Sequence, residues 1–546
     1  MKKLVLLILI LSCAVFGELF YGNLHSHTSY SDGSGTPDQA YEYAKRYLDV
    51  LAVTDHAYYF AQKINGKTKP YLTKLAAERH TKDGEFVALQ GFEWTAGVGH
   101  INVYESLEWI DRNQESSLEG FYRWLVEHKK LAQFNHPIST FGTFDSFRYF
   151  PEADQYVNLI EVGNGNWSSG DVINEEMFGN YILALNKGWH LGATVGQDNH
   201  KPNWGSANEG RTGIVADTLT YDDIMDALWK RHTFGSEDKN VKALLKSGSH
   251  LMGDIVSVED LSPQKISLEY EDTEKLLYLA VISQSGTVLE LRPNTERLNL
   301  TLSVTPPDGY EWYFVYMKQF DGDEIVTSPI WFQTPSPVYV NSVRVSPEEI
   351  HDGESAKVYF EIYNVTGEDQ NVKLSVLLDE NPLREVELSF SPYQVKRFVV
   401  PTGSLEKGYH RVSFVVDGKL VQSSGFSVKE KQKGVIMIDT LHENDHLEEL
   451  KALAEELEKR GYNVKYPKVM LKDLEGVDIL IISTPKEGGL SFAKKLSNKE
   501  IEAIENFKGK IYIVPGGDEE YRKLYLEKIK GEVVTLEELR KKLLEE

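Results

Sequence analysis

Residues 19 to about 235 alternate short apolar runs with longer stretches of helical, amphipathic spacing. Runs rich in β-branched and aromatic residues are typical of strands, and apolar residues spaced three and four apart are typical of helices. The predicted strands are LFYGNLHSHT, VLAVTDH, FVALQGFEWT, HINVYE, LAQFNHP, VNLIEVGNG, LGATVGQDNH and TGIVAD, and the helices between them include TPDQAYEYAKRYL, SLEGFYRWLVEHKK and TYDDIMDALWKRH. This alternation predicts an α/β barrel or a doubly wound sheet.

The rest of the chain divides into three regions with different periodicity. Alternating runs such as KISLEYED and LLYLAVIS predict a β-rich extension over 239–336, which ends in the linker-like TPSPVY. Regularly spaced strands over 337–431 predict a β-sandwich that resembles the immunoglobulin-like adhesion modules of bacterial surface enzymes. Over 432–546, the strands VIMIDT, VDILIIST and IYIVPGGD alternate with helices, which predicts an open α/β, Rossmann-like domain of flavodoxin or amidotransferase-like type. We therefore expect a multidomain protein whose first α/β domain covers 18–238.

The composition narrows the classes of function. The chain has 546 residues, of which 41% are hydrophobic and 26% charged, as expected for a folded globular protein of several domains. Its formal net charge of -24 repels phosphate backbones, so we expect no nucleic-acid partner. No run beyond the N-terminus is long and apolar enough for a transmembrane helix.

The first residues, MKKLVLLILILSCAVFGELF, are typical of a secretory signal peptide over 1–17. Two lysines precede an apolar run that is too short to cross a bilayer, and small residues precede Glu18. ILSC also resembles the lipobox of bacterial lipoproteins, in which Cys13 would carry the lipid. We therefore expect an exported protein, periplasmic or extracellular, that contacts a membrane only if Cys13 is lipidated. The three later regions are then candidates for cell-surface or polysaccharide contact.

Most predicted strands of the first domain end in side chains that bind metals. HSHTSYSDG puts His25 and His27 on one face of a strand and Asp32 in the turn that follows. The other strand ends contribute His56, Glu93, His100, His136, Asp198 and His200. Because the carboxyl ends of parallel strands meet at one mouth of an α/β barrel, we expect all nine side chains to gather there. Such a cluster requires cations, which predicts two or three divalent metal ions.

These motifs resemble those of the PHP (polymerase and histidinol phosphatase) metallohydrolases, and within that superfamily the carbaryl-hydrolase-like branch. HSHTSYSDG, LAVTDH, GFEW, GHINVY, NHP and GQDNH occur in the superfamily's order within the first 235 residues or so. The resemblance implies a distorted (β/α)7 barrel that holds manganese, zinc or iron. It also implies three ligand sets: His25, His27, Glu93 and Asp198 for the first metal; Glu93, His100 and His136 for the second; and Asp32, His56 and His200 for the third.

The resemblance further implies a metal-dependent hydrolase that acts on ester bonds of a small or surface-displayed substrate. We expect a phosphoesterase whose nucleophile is a hydroxide bridging two metals, with Glu93 and Asp198 central to catalysis. Lys201 and Arg211 are candidates for contact with an anionic substrate group. Two alternatives remain: a carboxylester or carbamate hydrolase of the same fold, and a non-catalytic surface adhesion or binding protein.

A second motif, HENDH at 442–446, matches the HExxH pattern of zinc proteases. That pattern binds zinc when both histidines share one face of a helix. Here it lies between the strand VIMIDT and an amphipathic helix, so we expect a strand-to-helix turn with Asn444 or Asp445 as the helix N-cap.

Overall fold

The computed structural model describes residues 17–165, 172–258, 263–304, 310–430 and 433–544. The leader predicted over 1–17, with Cys13, lies outside these residues apart from Gly17. The chain forms two compact units. The first unit comprises the described residues up to Arg344, with Val358–Val400 and Arg411–Ser424, and the second comprises Val345–Lys357, Pro401–His410 and the described residues from Gly425 onward. Within the described ranges, no helix has the length and apolarity needed to cross a membrane.

The amino-terminal region contains nine strands interleaved with seven helices among its described residues. The strands are β1 (Glu18–Asn23), β2 (Val50–Val53), β3 (Val87–Ala96), β4 (Gly99–Tyr104), β5 (Ala132–Asn135), β6 (Val157–Asn164), β7 (Gly192–Gly196), β8 (Arg211–Ala216) and β9 (Thr233–Ser236). The helices are α1 (Pro37–Ala44), α2 (Lys69–His80), α3 (Leu118–His128), α4 (Phe144–Phe147), α5 (Pro151–Asp154), α6 (Glu175–Lys187) and α7 (Tyr221–Trp229).

Seven of these strands run in the same direction. Parallel ladders join β1 to β2, β2 to β3, β5 to β6 and β6 to β7. The antiparallel β4 lies between β3 and β5, and the antiparallel β8 lies between β1 and β9. A bridge from Ser26 to Asn199 joins the chain just after β1 to the chain just after β7. The carboxyl ends of the first and seventh strands are therefore close together.

Local sequence explains where the helices of this region begin. Thr36 caps α1 in a capping box with Gln39, and Pro37 occupies the first turn, where no backbone donor is needed. Ser117 and Thr220 cap α3 and α7 through their side-chain oxygens. The apolar face of α7, with Ile224 and Leu228, packs on buried residues of β1, β2 and β3. These caps and contacts fix the loops that follow the strands.

A β-rich region continues from the first sheet. Its strands are β10 (Lys242–Ser247), β11 (His250–Leu251), β12 (Ile255–Ser257), β13 (Gln264–Ser283), β14 (Gly286–Leu291), β15 (Thr295–Val304), β16 (Tyr310–Gln319), β17 (Glu324–Thr327) and β18 (Ile330–Gln333). The long β13 pairs with β10, β14, β15 and β16 in antiparallel fashion, and β17 pairs with β9. The extension and the first region therefore share one mixed sheet.

Two small sheets follow. Their strands are β19 (Val338–Ser346), β20 (Ser355–Asn364), β21 (Gln370–Leu378), β22 (Asn381–Phe390), β23 (Val395–Ser404), β24 (Gly408–Val416) and β25 (Lys419–Val428). The first sheet has the order β19-β20-β23, and the second has the order β22-β21-β24-β25. Phe360 of β20 and Phe414 of β24 meet between them, with ring centroids 4.7 Å apart. The two sheets thus face each other, as in a sandwich.

The last region is a parallel sheet covered by helices. It contains β26 (Gly434–Ile438), β27 (Tyr462–Lys465), β28 (Ile479–Ser483), β29 (Lys510–Val514) and β30 (Glu532–Val533), with α8 (Leu447–Glu458), α9 (Asn498–Glu505), α10 (Glu519–Lys528) and α11 (Leu536–Leu544). The strand order β27-β26-β28-β29-β30 is that of a doubly wound fold. Taken together, the described chain is multidomain and β-rich, with mixed sheets and interspersed helices.

Candidate metal centre

The nine predicted ligands lie close together around the carboxyl ends of the parallel strands. Side-chain atoms of these residues form four overlapping groups, within each of which the ligand atoms lie within 4.8 Å of one another. The groups are His25, His27 and Glu93; His25, His136 and Asp198; Glu93, His100 and His136; and His27, Asp32, His56 and His200. All nine candidates occur in at least one group. This largely buried set of imidazoles and carboxylates is therefore able to bind metal ions.

Backbone geometry determines which side chains enter the cluster. His25 and His27 follow β1, and the peptide between them is held by bonds on both sides: the Thr54 N–H donates to Ser26 O at 2.8 Å, and the His27 N–H donates to Asn199 O at 2.9 Å. His136 and Asp198 follow β5 and β7 in the left-handed region, with φ of 27° and 49°. Such a conformation is costly for a residue with a side chain and is maintained by its surroundings. This backbone conformation directs the side chains of His136 and Asp198 into the cluster.

Glu93 is at the centre of the cluster. Its side chain is 1% exposed, and its two oxygens face different histidines. Oε1 lies 3.5 Å from His25 Nε2, 3.3 Å from His100 Nδ1 and 3.5 Å from His136 Nε2. Oε2 lies 2.5 Å from His56 Nδ1 and 3.8 Å from His27 Nε2. A carboxylate with imidazoles on both sides has the arrangement of a bridging ligand.

Asp198 and the first histidine pair occupy the deepest part of the cluster. Asp198 Oδ1 lies 3.4 Å from His25 Nε2 and 3.0 Å from His27 Nε2, and the two Nε2 atoms are 3.2 Å apart. Two imidazole nitrogens and a carboxylate oxygen therefore converge on one point. The Oδ1 atom has no hydrogen-bond partner of normal geometry among the described residues, although it is buried. A cation at this point satisfies all three atoms, so the residues fit a metal.

A third set lies nearer to solvent. Asp32 Oδ1 is 3.7 Å from His56 Nε2 and 3.4 Å from His200 Nε2. The side chains of Asp32 and His200 are 39% and 34% exposed, whereas those of His25 and His27 are fully buried. Among the described ligand candidates, Asp32 and His200 are therefore the ones most open to solvent.

Glu161, a residue that the sequence analysis did not select, supports two ligands from behind. It lies in the middle of β6 and is fully buried. Its Oε1 accepts from His25 Nδ1 at 3.0 Å, and its Oε2 accepts from the His136 N–H at 2.7 Å and from Asn164 Nδ2 at 2.8 Å. The bond to Nδ1 leaves the Nε2 lone pair of His25 directed at the cluster, as in metal-bound histidines. The sequence signal that could have identified Glu161 is its position as a lone carboxylate inside the apolar run VNLIEV.

Asp55 has a similar role on the other side of the cluster. It accepts from the Thr28 N–H at 2.7 Å, from Thr28 Oγ1 at 2.6 Å and from Ser31 Oγ at 2.5 Å. These bonds fix the first turn of the loop that carries Asp32. Thus the TDH motif supplies a ligand candidate in His56 and a positioning carboxylate in the residue before it.

The closely packed imidazoles and carboxylates of the cluster shift one another's pKa values. Burial alone lowers the pKa of His25, but the carboxylates of Asp198, Glu161 and Glu93 outweigh it and raise the pKa to about 10. His200 is affected in the same way, through Asp32 and Asp198, and its pKa rises to about 9. The neighbouring imidazoles hold the pKa of Glu93 and of Asp198 well below the usual range, against the effect of burial. In a metal-free cluster, protons on His25 and His200 therefore provide positive charge.

The two cationic candidates lie in different surroundings. The Arg211 guanidinium is 4% exposed and donates to three backbone carbonyls, those of Gly205 at 2.7 Å, Gly210 at 2.7 Å and Asn208 at 3.1 Å. Among the described residues it makes no ion pair with the cluster. Its contacts hold the loop between β7 and β8. Lys201 is exposed and makes no side-chain hydrogen bond within the described ranges.

The HENDH segment is not helical. α8 begins only at Leu447, after a turn, and its N-cap is His446 in the left-handed region, with no side-chain cap bond. The expected cap at Asn444 or Asp445 was therefore wrong, because both side chains have other partners: Asn444 donates to Asp439 and to Ser483 O, and Asp445 accepts from the Gly517 N–H. His442 is buried between Asp439 and Glu500. The arrangement is not that of an HExxH zinc site.

Comparisons with known proteins leave the class of this centre open. No family model matches the chain, and no curated protein matches it. Solved structures with partial similarity include a GH2 beta-galacturonidase from Eisenbergiella tayi bound to galacturonate (8% identity, TM-score 0.17, covering 52% of this chain and 64% of that one). They also include trypsin-activated alpha-2-macroglobulin from Escherichia coli (10% identity, TM-score 0.21, covering 44% and 26%) and fibronectin(III)-like modules of Clostridium thermocellum CbhA (12% identity, TM-score 0.14, covering 34% and 94%). The chain thus spans less than two thirds of the first two structures.

Proposed function

We propose that the chain is an exported metal-dependent hydrolase whose first domain is a PHP-type, distorted (β/α)7 barrel, and that it cleaves phosphoesters. The observation that carries the proposal is the position of Glu93, whose two carboxylate oxygens face five histidines from both sides. A structural histidine cluster needs no such shared carboxylate. A centre with two or more metals does, because a bridging ligand holds the ions at a fixed separation.

The residues have distinct tasks in this proposal. His25, His27, Glu93 and Asp198 would hold one metal, His100 and His136 with Glu93 a second, and Asp32, His56 and His200 a third. When bound, divalent ions make water acidic enough to act as a nucleophile near neutral pH and stabilise negative charge that develops on substrate oxygens. Glu161 and Asp55 orient the ligands, and the buried surroundings exclude bulk water from all but the Asp32 side.

A cation at the edge of the cluster favours an anionic substrate. The Arg112 guanidinium lies over the Tyr58 ring, 3.9 Å from its centroid, and Tyr58 stacks on His56 with centroids 5.1 Å apart. The stack places the positive charge of Arg112 on the Tyr58 side of His56, one ring away from this ligand candidate. An arginine in this position suits a phosphoester, whose charge attracts it before and during reaction. A neutral carboxylester gains nothing from this residue.

The direct test is turnover of three substrates by protein lacking residues 1–17 and loaded with manganese or zinc. These substrates are p-nitrophenyl phosphate, its phosphodiester analogue and p-nitrophenyl acetate. We expect metal-dependent release of p-nitrophenol from a phosphoester and its loss in His27→Ala. His128→Ala is the matched control, because His128 stacks on Trp124 at the end of α3, away from the cluster.

Other outcomes change the assignment. Cleavage of the acetate alone would replace the phosphoesterase proposal by the carboxylester or carbamate alternative. No turnover of any substrate by metal-loaded protein, combined with unchanged binding to cells or polysaccharide in His27→Ala, would favour the non-catalytic binding protein. Equal activity in His27→Ala and wild type would remove the cluster from the reaction.

A further inference from the structure

A cavity lies at the ends of the parallel strands opposite the metal-ligand cluster. It has a volume of about 530 Å³, within the range of small-molecule sites. Asp154 precedes β6, His190 precedes β7 and Arg231 precedes β9, and all three line the cavity. The cavity therefore lies at the amino-terminal ends of these parallel strands, whereas the metal-ligand candidates lie around the carboxyl ends. No ligand candidate lines it.

Arg231 brings a positive charge to this cavity. Its Nε donates to Gly253 O at 3.0 Å, and its guanidinium lies 5.7 Å from the Trp331 ring centroid. No carboxylate of the described residues forms an ion pair with it. Asp154, the acid that also lines the cavity, is already occupied by the Tyr149 hydroxyl at 3.1 Å, the His190 N–H at 2.9 Å and His190 Nδ1 at 2.7 Å. The remaining guanidinium donors are free for an anion.

Three polar atoms of other residues that line the cavity lack partners among the described residues. They are Asn158 Oδ1, His190 Nε2 and the Tyr310 hydroxyl, all buried. Asn158 is 2% exposed and Tyr310 6% exposed. A buried polar atom without a hydrogen bond costs free energy, so a cavity with three of them favours an occupant that carries its own donors and acceptors.

Close backbone packing shows that the cavity has a defined shape. Arg231 adopts φ of 61°, and a Cβ on Gly192 would lie 2.9 Å from its Cβ. A Cβ on Gly188 would lie 2.1 Å from Asn341 Nδ2 on the cavity wall. Larger residues cannot replace these glycines without displacing the wall. Aromatic side chains, including Tyr149, Tyr310 and Trp229, provide flat surfaces for a ring.

We propose that this cavity binds a small carboxylate built on a single hydroxylated ring. The carboxylate pairs with Arg231, the ring packs on the aromatic wall, and the ring hydroxyl bonds to Asn158 or Tyr310. The cavity volume exceeds what an inorganic anion fills, and the aromatic side chains make no favourable contact with such an ion. The proposal does not depend on the hydrolase activity, because no residue of the metal-ligand cluster takes part.

The test is calorimetric titration of the chain lacking residues 1–17 with para-hydroxybenzoate. Its amide, para-hydroxybenzamide, has the same shape without charge, and inorganic phosphate has the charge without the ring. We expect one para-hydroxybenzoate per chain and affinities for the amide and for phosphate lower by about tenfold or more. Arg231→Gln is expected to lose binding by a similar factor, and Tyr310→Phe, which removes only a hydroxyl, to weaken it severalfold.

A carboxylate also binds metals, so the titration is repeated with His27→Ala, in which binding at this cavity is expected to persist. Circular dichroism and the thermal midpoint confirm that each variant is folded. The proposal is overturned if the wild type does not bind para-hydroxybenzoate up to about 10 mM, a concentration at which weak specific sites fill. It is also overturned if amide or phosphate binds as well, if folded Tyr310→Phe and Arg231→Gln both bind like wild type, or if His27→Ala abolishes binding.

Discussion

Replacing Glu161 by Gln tests whether the cluster depends on a supporting carboxylate. Glu161 is fully buried and accepts bonds from His25 Nδ1, from the His136 N–H and from Asn164 Nδ2. Glutamine has nearly the same shape, but one of its ends donates. It therefore removes the charge that orients His25 and sets an N–H against a donor, either His25 Nδ1 or the His136 N–H and Asn164 Nδ2.

The expected loss of metal affinity follows from the number of metal-ligand residues that Glu161 contacts. Loss of such an outer contact typically reduces metal affinity about 10- to 100-fold, which corresponds to about 1.4 to 2.7 kcal/mol. Because Glu161 contacts two ligand residues, we expect the upper half of this range for manganese or zinc, measured by competition with a chelating dye. Because glutamine keeps the shape of the side chain, we expect the circular dichroism spectrum of the variant to match that of the wild type.

Glu105→Gln is the matched control for this experiment. Glu105 pairs with Lys74 at 2.6 Å and accepts from the Gln90 N–H at 3.0 Å, outside the cluster. Its substitution removes a partly buried carboxylate without touching a ligand, and metal affinity is expected to stay within twofold of wild type. The reasoning is refuted if Glu161→Gln also binds metal within twofold of wild type, or if both variants lose affinity equally.

Three further predictions concern pH, stability and substrate charge. The pKa values of His25 and His200 are raised to about 10 and about 9, so protons compete with metal for these side chains. Metal affinity measured by chelator competition should therefore increase as pH rises from about 6.5 toward 9, while the metal-free protein loses stability over the same window. A flat profile would contradict this. Burial and the nearby Asp272 raise the pKa of Asp238 to about 6, so its contribution to stability is present below the pKa of the unfolded state and is lost as pH rises through about 6. Asp238→Asn should therefore raise the free energy of unfolding in urea by about 1 kcal/mol at neutral pH, after allowance for solvent screening, and by much less in acid. An equal effect at both pH values would refute the assignment to Asp238 ionisation. Arg112→Met should raise the KM for a phosphoester about tenfold and leave an uncharged ester unaffected; equal changes for both substrates would assign Arg112 to the fold.

The ligand candidates were predictable because strand ends are readable from sequence. Parallel strands have their carboxyl ends on one side, so a histidine or carboxylate at each end has few alternatives to joining its neighbours. His25, His56 and His136 follow apolar runs directly, and the structure brings them together. The coarse architecture was predictable for the same reason: the period of the apolar residues changes from region to region.

Other features depend on contacts between distant segments, which a single sequence does not reveal. Glu161 was passed over because it lies inside a strand, where only the side chains packed against it reveal its role. The cap of α8 was misplaced because Asn444 and Asp445 bond to β28 and to the loop after β29. In each case long-range pairing outweighed local preference.

The central claim is that the cluster around Glu93 is a multinuclear metal centre. Anomalous-difference maps from crystals of the manganese-loaded chain, recorded at the manganese absorption edge, test it most directly. The account predicts at least two peaks, one bounded by His25, His27, Glu93 and Asp198 and another by Glu93, His100 and His136. An absence of peaks among these residues in manganese-saturated crystals would contradict it.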